Sequence, residues 1–254
     1  MRMAGSTILV TGASAGIGAA TAVALGAAGA KVLVHGRDAD RTAEIAAACA
    51  GTALLADLAE PAEIARLAAQ AQEHGPLDAV VLNAGRGHSG PFVAMTDAEI
   101  DDLLALDLAG VVRLARRVLP GMLERGRGRL CFVSSIAGRT GVAGEAVYAA
   151  AKAGVDAFAE SLRLELAGSG VGVSVVVPGV VETGFFAARG RPYDRRTPKP
   201  VVASEVAAAI VTAIGRERDE VFVPRWLGVA PAVRAVAPGP FRALSRRFGE
   251  SVRS

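Results

Sequence analysis

The sequence contains only two cysteines, Cys49 and Cys131, in 254 residues. They stand far apart and outside any CxxC spacing, which excludes a disulfide scaffold and argues against structural zinc. So few thiols suit a reducing compartment. Histidine is just as sparse: His35, His74 and His88 share no metal-ligand spacing. No apolar run reaches the roughly 18–20 residues of a transmembrane helix. Met1–Thr7 has no apolar stretch of the kind a secretory signal needs, so a cytoplasmic location is expected. Strong net charge is missing as well. Lys and Arg number 28 against 25 Asp and Glu, and 52% of residues are hydrophobic, which excludes disorder. A chain of this length can bury a full core without metal or disulfide support. The small basic excess is local: Arg225–Ser254 carries six arginines and one acid, Glu250. Nucleic acid is therefore not expected as a partner of the rest of the chain.

What is present is an alternation. Short apolar runs at Thr7–Val10, Val32–Val34, Thr52–Leu55, Ala79–Leu82, Leu130–Val133, Val173–Val177 and Val221–Val223 read as strands. Most are continuous rather than alternating, as parallel strands covered on both faces should be. Ala-rich helical stretches at 17–28, 39–50, 61–74, 97–119, 146–167 and 204–215 fall between them. The rhythm predicts an α/β fold: a doubly wound parallel sheet in three α/β/α layers and a single domain over 1–223. Two segments break it. Residues 184–200 are rich in Gly, Pro and Arg and read as a long functional or mobile loop. Residues 224–254 form a basic, apolar C-terminal extension whose Pro231, Pro238 and Pro240 must divide any helix there.

The first strand runs into Thr11-Gly12-Ala13-Ser14-Ala15-Gly16-Ile17-Gly18 and then a helix. Glycines at such a turn let backbone N–H groups approach a pyrophosphate, and the helix N-terminus favours its charge. The second strand ends in His35-Gly36-Arg37, without the acid that would bind ribose hydroxyls. Arg37 is suited to a 2′-phosphate, so NADP(H) is favoured, with NAD(H) as the alternative. Asp38 follows at once and stands against that reading; the competing reading is that Asp38 caps the next helix and Arg37 is a solvated turn residue. Tyr148 and Lys152 are four apart and share a helix face. Lys152 is one of three lysines in the chain and lies in an Ala-rich stretch. A nearby ammonium lowers a tyrosine pKa and makes Tyr148 usable as a general acid/base. Ser135, at the end of the fifth strand, can hydrogen-bond a carbonyl or alkoxide oxygen.

Together these residues resemble the short-chain dehydrogenase/reductase family in its single-domain form. The resemblance rests on Thr11-Gly12-xxx-Gly16-Ile17-Gly18, Asp57, Asn83-Ala84-Gly85, Ser135, Tyr148-xxx-Lys152, and Pro178-Gly179 with Thr183, over about residues 5–223. It implies a Rossmann-type fold and a hydride exchanged between nicotinamide and a small carbonyl or alcohol substrate. Tyr148 would move the proton, Lys152 would lower its pKa and hold the nicotinamide ribose, and Ser135 would orient the substrate oxygen. Gly12, Gly16, Ile17 and Gly18 would wrap the pyrophosphate, with Ser14 near the adenosine. Asp57 and its neighbour Leu58 would meet the adenine, Asn83, Ala84 and Gly85 would pack on the ribose side, and Pro178, Gly179 and Thr183 would flank the nicotinamide. One position departs: the family's usual asparagine, 28 residues before the serine, is Asp107 here. Its carboxylate would stabilise the Lys152 ammonium and weaken its effect on Tyr148, unless it is protonated or paired elsewhere.

The substrate pocket is expected from Arg86, His88, Ile136–Thr140, Glu145, Val180, Phe185 and Phe186. Segment 184–200 resembles the family's lid; its arginines suit an anionic substrate, although a solvated basic loop is the favoured explanation. The extension is expected to pack on its own domain or a partner subunit, with an anionic membrane surface as the less favoured reading. The resemblance implies a homodimer or homotetramer. A non-catalytic NADP(H)-binding sensor or scaffold, and an epimerase or dehydratase, are the competing function classes.

Overall fold

A computed structural model of the chain describes residues 1–185, 189, 193 and 198–248. Nine strands appear among them: β1 (Thr7–Val10), β2 (Lys31–Gly36), β3 (Thr52–Leu55), β4 (Ala79–Leu82), β5 (Gly128–Val133), β6 (Val171–Pro178), β7 (Val181–Glu182), β8 (Val201–Val202) and β9 (Glu220–Val223). The helices are α1 (Gly16–Ala27), α2 (Ala39–Ala48), α3 (Pro61–Glu73), α4 (Asp97–Leu104), α5 (Val111–Glu124), α6 (Ile136–Thr140), α7 (Ala146–Glu165), α8 (Ala203–Gly215), α9 (Val229–Val236) and α10 (Pro238–Phe248). Of the 184–200 segment, Phe186, Arg191, Asp194, Arg195 and Arg196 lie outside the described residues, as do Glu250 and the side chain of Phe248.

Seven strands form one parallel sheet in the order β3-β2-β1-β4-β5-β6-β9. Side chains alternate across it, so one strand feeds two cores. Leu9, Leu33, Val80, Leu130, Phe132 and Val175 face α3, α5 and α7. Ile8, Val10, Val32, Val34, Val81 and Val176 face α1 and α8 on the other side. All four residues of β1 and of β4 are buried, which is why their sequences are unbroken apolar runs. The small pair β7–β8 lies apart from this sheet and brackets the segment 184–200.

The chain builds outward from β1 through β2 to β3, then returns to lay β4 against the other side of β1. Connections therefore leave β1 and β4 in opposite directions and open a crevice at their C-terminal ends.

The stretch 97–119, expected as one helix, is not one. α4 opens on a Thr96–Glu99 capping box, then a π-helical turn, Ala105–Gly110, interrupts before α5. A tight crossing accompanies it: a Cβ on Gly110 would lie 2.3 Å from the Leu58 carbonyl oxygen. Such turns concentrate at functional sites, and this one carries Asp107. The prolines of the extension do divide it into α9 and α10, with Pro231 in the first turn of α9 and Pro238 opening α10. Replacing Gly110→Ala should force the Leu58 backbone away and destabilise the protein by about 1–3 kcal/mol, the usual cost of overpacking. Urea unfolding of the variant measures this; an unchanged midpoint would mean the crossing is loose.

Candidate active site

The floor of the crevice is held by a clasp between the ends of β1 and β4. The Thr11 hydroxyl donates to the Val81 carbonyl (3.1 Å) and accepts from the Asn83 and Ala84 N–H groups (3.0 and 3.1 Å). Asn83 Nδ2 donates back to the carbonyls of Thr11 (2.9 Å) and Gly12 (3.2 Å). The glycine turn above is packed to its limit. Gly12 and Gly16 have φ of 63° and 57°. A Cβ on Gly12 would stand 2.7 Å from the Ala84 backbone, and one on Gly18 would stand 2.2 Å from the Gly12 carbonyl oxygen. α1 then begins without a side-chain cap, so its first N–H groups face the crevice unclaimed by a side chain.

Sequence reasoning gave Thr11 no role and treated His35 only as a neighbour of Arg37. In the structure His35 is buried and ties the turn to the sheet: Nδ1 accepts from the Gly12 N–H (3.3 Å) and Nε2 meets the Ala56 carbonyl (3.0 Å). That pairing requires the neutral ring with its proton on Nε2. Burial lowers its pKa to about 4, against the weaker pull of the Ala56 carbonyl. A buried histidine next to a strand-end glycine turn was the available signal.

One open cavity at the crevice is lined by Gly12, Ser14, Gly16, Ile17, Arg37, Leu58, Asn83, Ala84, Gly85 and Thr183, together with Asp38, Arg41 and Arg86. Asp38 caps α2, accepting the Arg41 N–H at 3.0 Å and pairing with Arg41 Nε at 3.3 Å. Arg37 is largely exposed and reaches Asp57 Oδ2 at 3.3 Å. Asp57 does not line this cavity; its other oxygen accepts the Ala59 N–H at 2.9 Å. Gly18 lies beneath the turn rather than on the cavity wall.

A second cavity of about 250 Å³ continues from the first, sharing Ile17, Asn83, Gly85 and Thr183. It gathers Asp107, Ser135, Tyr148, Lys152, Pro178 and Gly179. Ser135 stands two residues beyond β5 and caps α6, its hydroxyl accepting the Ala137 N–H at 3.2 Å. Tyr148 and Lys152 stand one turn apart on α7, both buried. Lys152 Nζ donates to the Val133 carbonyl (3.4 Å) and lies 3.5 Å from Asp107 Oδ2. Asp107 is fully buried, and its other oxygen accepts the Arg86 N–H at 2.9 Å. Gly85 makes room for this pair, since a Cβ there would stand 2.8 Å from Asp107 Oδ2.

Burial pushes the Tyr148 phenol up, and the Asp107 carboxylate pushes it further; the hydrogen bond with Ser135 pulls it down. Burial also raises the Asp107 carboxyl, against the pull of Lys152. The remaining wall is mostly apolar: Val142, Val180, Phe185 and Tyr193, with Glu145 paired to Arg189. The Phe185 ring sits 5.7 Å from that of Tyr148. Arg86 lines the first cavity and pairs with Asp102, whereas His88 lines neither cavity. Tyr193 was not anticipated; its one signal was being one of two tyrosines, set in a Pro/Arg-rich loop.

An α/β protein with a glycine-lined crevice leading to a buried Ser/Tyr/Lys group belongs among the dinucleotide-dependent enzyme folds. The short chain dehydrogenase sequence pattern matches residues 6–194. The chain belongs to the short-chain dehydrogenase/reductase family. A ketoacyl reductase, HetN, of Nostoc sp. is 36% identical over 232 residues, covering 87% of this chain and 79% of that protein. The 3-oxoacyl-[acyl-carrier-protein] reductase FabG of Escherichia coli is 37% identical over 186 residues, covering 72% of this chain and 76% of that protein. A short-chain dehydrogenase from Sphingobium yanoikuyae, solved with NADPH, superposes with a TM-score of 0.83 at 28% identity, covering 98% of both chains. Among the described residues no helix is long and apolar enough to cross a membrane, and no cluster of His, Cys, Asp or Glu is placed to hold a metal.

The neutral His35 ring has a consequence for stability. Its folded pKa lies below the ordinary 6.5, so the unfolded chain binds the proton more readily. Its contribution is complete above pH 6.5 and is lost as pH falls toward about 4. The loss amounts to roughly 3 kcal/mol over that window. Denaturant titrations of the wild type and His35→Gln between pH 7 and 4 should converge as pH falls; parallel curves would reject this account.

Proposed function

We propose that the protein is an NADP(H)-dependent oxidoreductase that interconverts a small-molecule carbonyl and its alcohol. The observation that carries the reading is the Ser135, Tyr148 and Lys152 group in a mostly apolar cavity continuous with the glycine-lined crevice. The crevice fits a dinucleotide: Gly12 and Gly16 line it with no side chain over their backbone, and the N-terminus of α1 lacks a side-chain cap. Gly12, Gly16 and Ile17 would hold the pyrophosphate, Leu58, Ala84 and Gly85 the adenosine side, and Pro178, Gly179 and Thr183 the nicotinamide side. Asp57 and Gly18 support these walls from behind.

Cofactor choice rests on Arg37. The Asp38 carboxylate is engaged by the α2 N-terminus and Arg41, so it is not directed at a ribose hydroxyl. Ser14, Arg37 and Arg41 line one cavity and suit a 2′-phosphate.

When bound, the nicotinamide supplies or accepts the hydride. This chain's residues manage the oxygen and the proton. Ser135 orients the substrate oxygen, and Tyr148 donates its phenolic proton as that oxygen becomes an alkoxide. Lys152 stabilises the resulting tyrosinate and positions the ribose. Asp107 holds Lys152 and opposes its effect on Tyr148. The apolar walls suit a hydrophobic ketone or oxoacyl group, in keeping with the names of the ketoacyl reductase relatives. A cytoplasmic homodimer or homotetramer is the assembly we propose, with 1–223 as the catalytic domain and 224–254 as an extension.

Turnover of NADPH and NADH over a panel of ketones, aldehydes and oxoacyl thioesters tests the reading. Tyr148→Phe should lose about 100-fold or more in kcat, the range of general-acid catalysis. Arg37→Ala should raise the KM for NADPH about tenfold and leave that for NADH unchanged, as expected for one charge-assisted bond. Tight NADPH binding without turnover of any substrate class would favour the sensor or scaffold reading.

Asp107 makes a separate prediction with a definite sign. Alcohol oxidation needs tyrosinate, so its rate rises with pH through the Tyr148 pKa. The Asp107 carboxylate raises that pKa. Asp107→Asn should therefore move the rising limb to lower pH, by on the order of one unit for one nearby charge removed. Superimposable profiles would show that the carboxylate has no influence on the proton.

A further inference from the structure

Beyond β9 the chain makes a 3-10 turn, Arg225–Gly228, and enters α9 and α10. Its root is fixed. Leu227 is buried against Gly179, where a Cβ would stand 3.0 Å from Leu227 Cδ2, and Arg234 donates to the Arg139 carbonyl at the end of α6. Its outer side is bare. Val229, Val233 and Val236 fall on one helix face and are 61%, 43% and 87% exposed; Trp226 and Leu244 flank them at 59% and 57%. Three valines on the outside of a short helix are costly to leave in water.

The charged residues of the segment itself have one sign. From Pro224 to Gly249 the sequence carries five arginines, at 225, 234, 242, 246 and 247, and no carboxylate. Arg225, Arg234 and Arg242 are exposed in the structure. We propose that this face docks on an anionic lipid bilayer, with the valine stripe and Trp226 entering the headgroup boundary and the arginines meeting lipid phosphates. An apolar stripe flanked by arginines on short helices has this chemistry. A second copy of the chain fits less well. A two-fold contact would set arginine against arginine. The stripe is also narrow beside the roughly 800 Å² per partner of a stable protein interface. The proposal does not depend on the cofactor reading, because Trp226, Val229, Val233, Val236 and the three exposed arginines line neither the crevice nor the reaction cavity.

The test is flotation of the full chain with vesicles of phosphatidylcholine alone or phosphatidylcholine mixed with phosphatidylglycerol. The protein should float with the mixed vesicles, not with phosphatidylcholine alone, and salt should release it, because surface attraction is screened within ~10 Å at 0.1 M. Val233→Asp/Val236→Asp should lower the bound fraction at least about tenfold, since both apolar burial and charge attraction are lost. Thermal unfolding of that variant should match the wild type, because both valines are exposed; Arg242→Glu should weaken binding in the same direction. Absence of flotation with anionic vesicles would overturn the proposal. So would equal binding by the aspartate variant. A dimer that this variant dissolves, in a wild type that ignores lipid, would assign the face to a second copy instead.

Discussion

The clasp between Thr11 and Asn83 is the constraint on which the rest of the site depends. Two parallel strands whose connections depart in opposite directions leave a crevice, but nothing in that topology fixes its width. Thr11 and Asn83 fix it with five hydrogen bonds across the ends of β1 and β4. Once the width is set, only glycine fits at 12 and 18, and the N-terminus of α1 must point into the gap. His35 secures the same turn from the side of β2 and β3. The turn is thus held from both flanks and presents backbone N–H groups without needing to reorganise.

The reaction cavity is built on a different principle, the placing of opposite charges where water is scarce. Lys152 and Asp107 are both buried, 3.5 Å apart, on elements that cross beside Gly85. A buried pair of this kind gains little net stability. Its value here is positional: Lys152 is held between the Val133 carbonyl and the Asp107 carboxylate, one turn from Tyr148. The same carboxylate raises the phenol's pKa, so placement and proton affinity pull against each other.

Much of this was legible in the sequence for physical reasons. Strands buried on both faces must be apolar, so β1 and β4 could be read to the residue, and β3, an edge strand with only Leu54 buried, by its place in the alternation. Tyr148 and Lys152 could be paired because helical spacing places residues four apart together. The long helix at 97–119 was misread because a π-helical turn keeps the apolar composition and only widens the coil. The clasp was invisible since Asn83 serves carbonyls of residues about 71 positions away, and no local pattern records such a pairing. Asp57 shows the opposite limit: its motif position was evident, but not that its carboxylate turns toward Ala59 and Arg37.

The π-helical turn also sets a rule for length. Each residue in a regular helix turns the chain by about 100°. The wider π coil turns the chain by less per residue, so its six residues cover about the angle that five cover in an α-helix. Deleting one residue from Ala105–Gly110 would let the coil relax to a plain α-helix with α4 and α5 still in phase. Val111, Leu114, Ala115, Val118 and Met122 would stay on the buried side of α5. What would go is the bulge that sets Asp107 beside Lys152. The core can spare this residue; the site cannot.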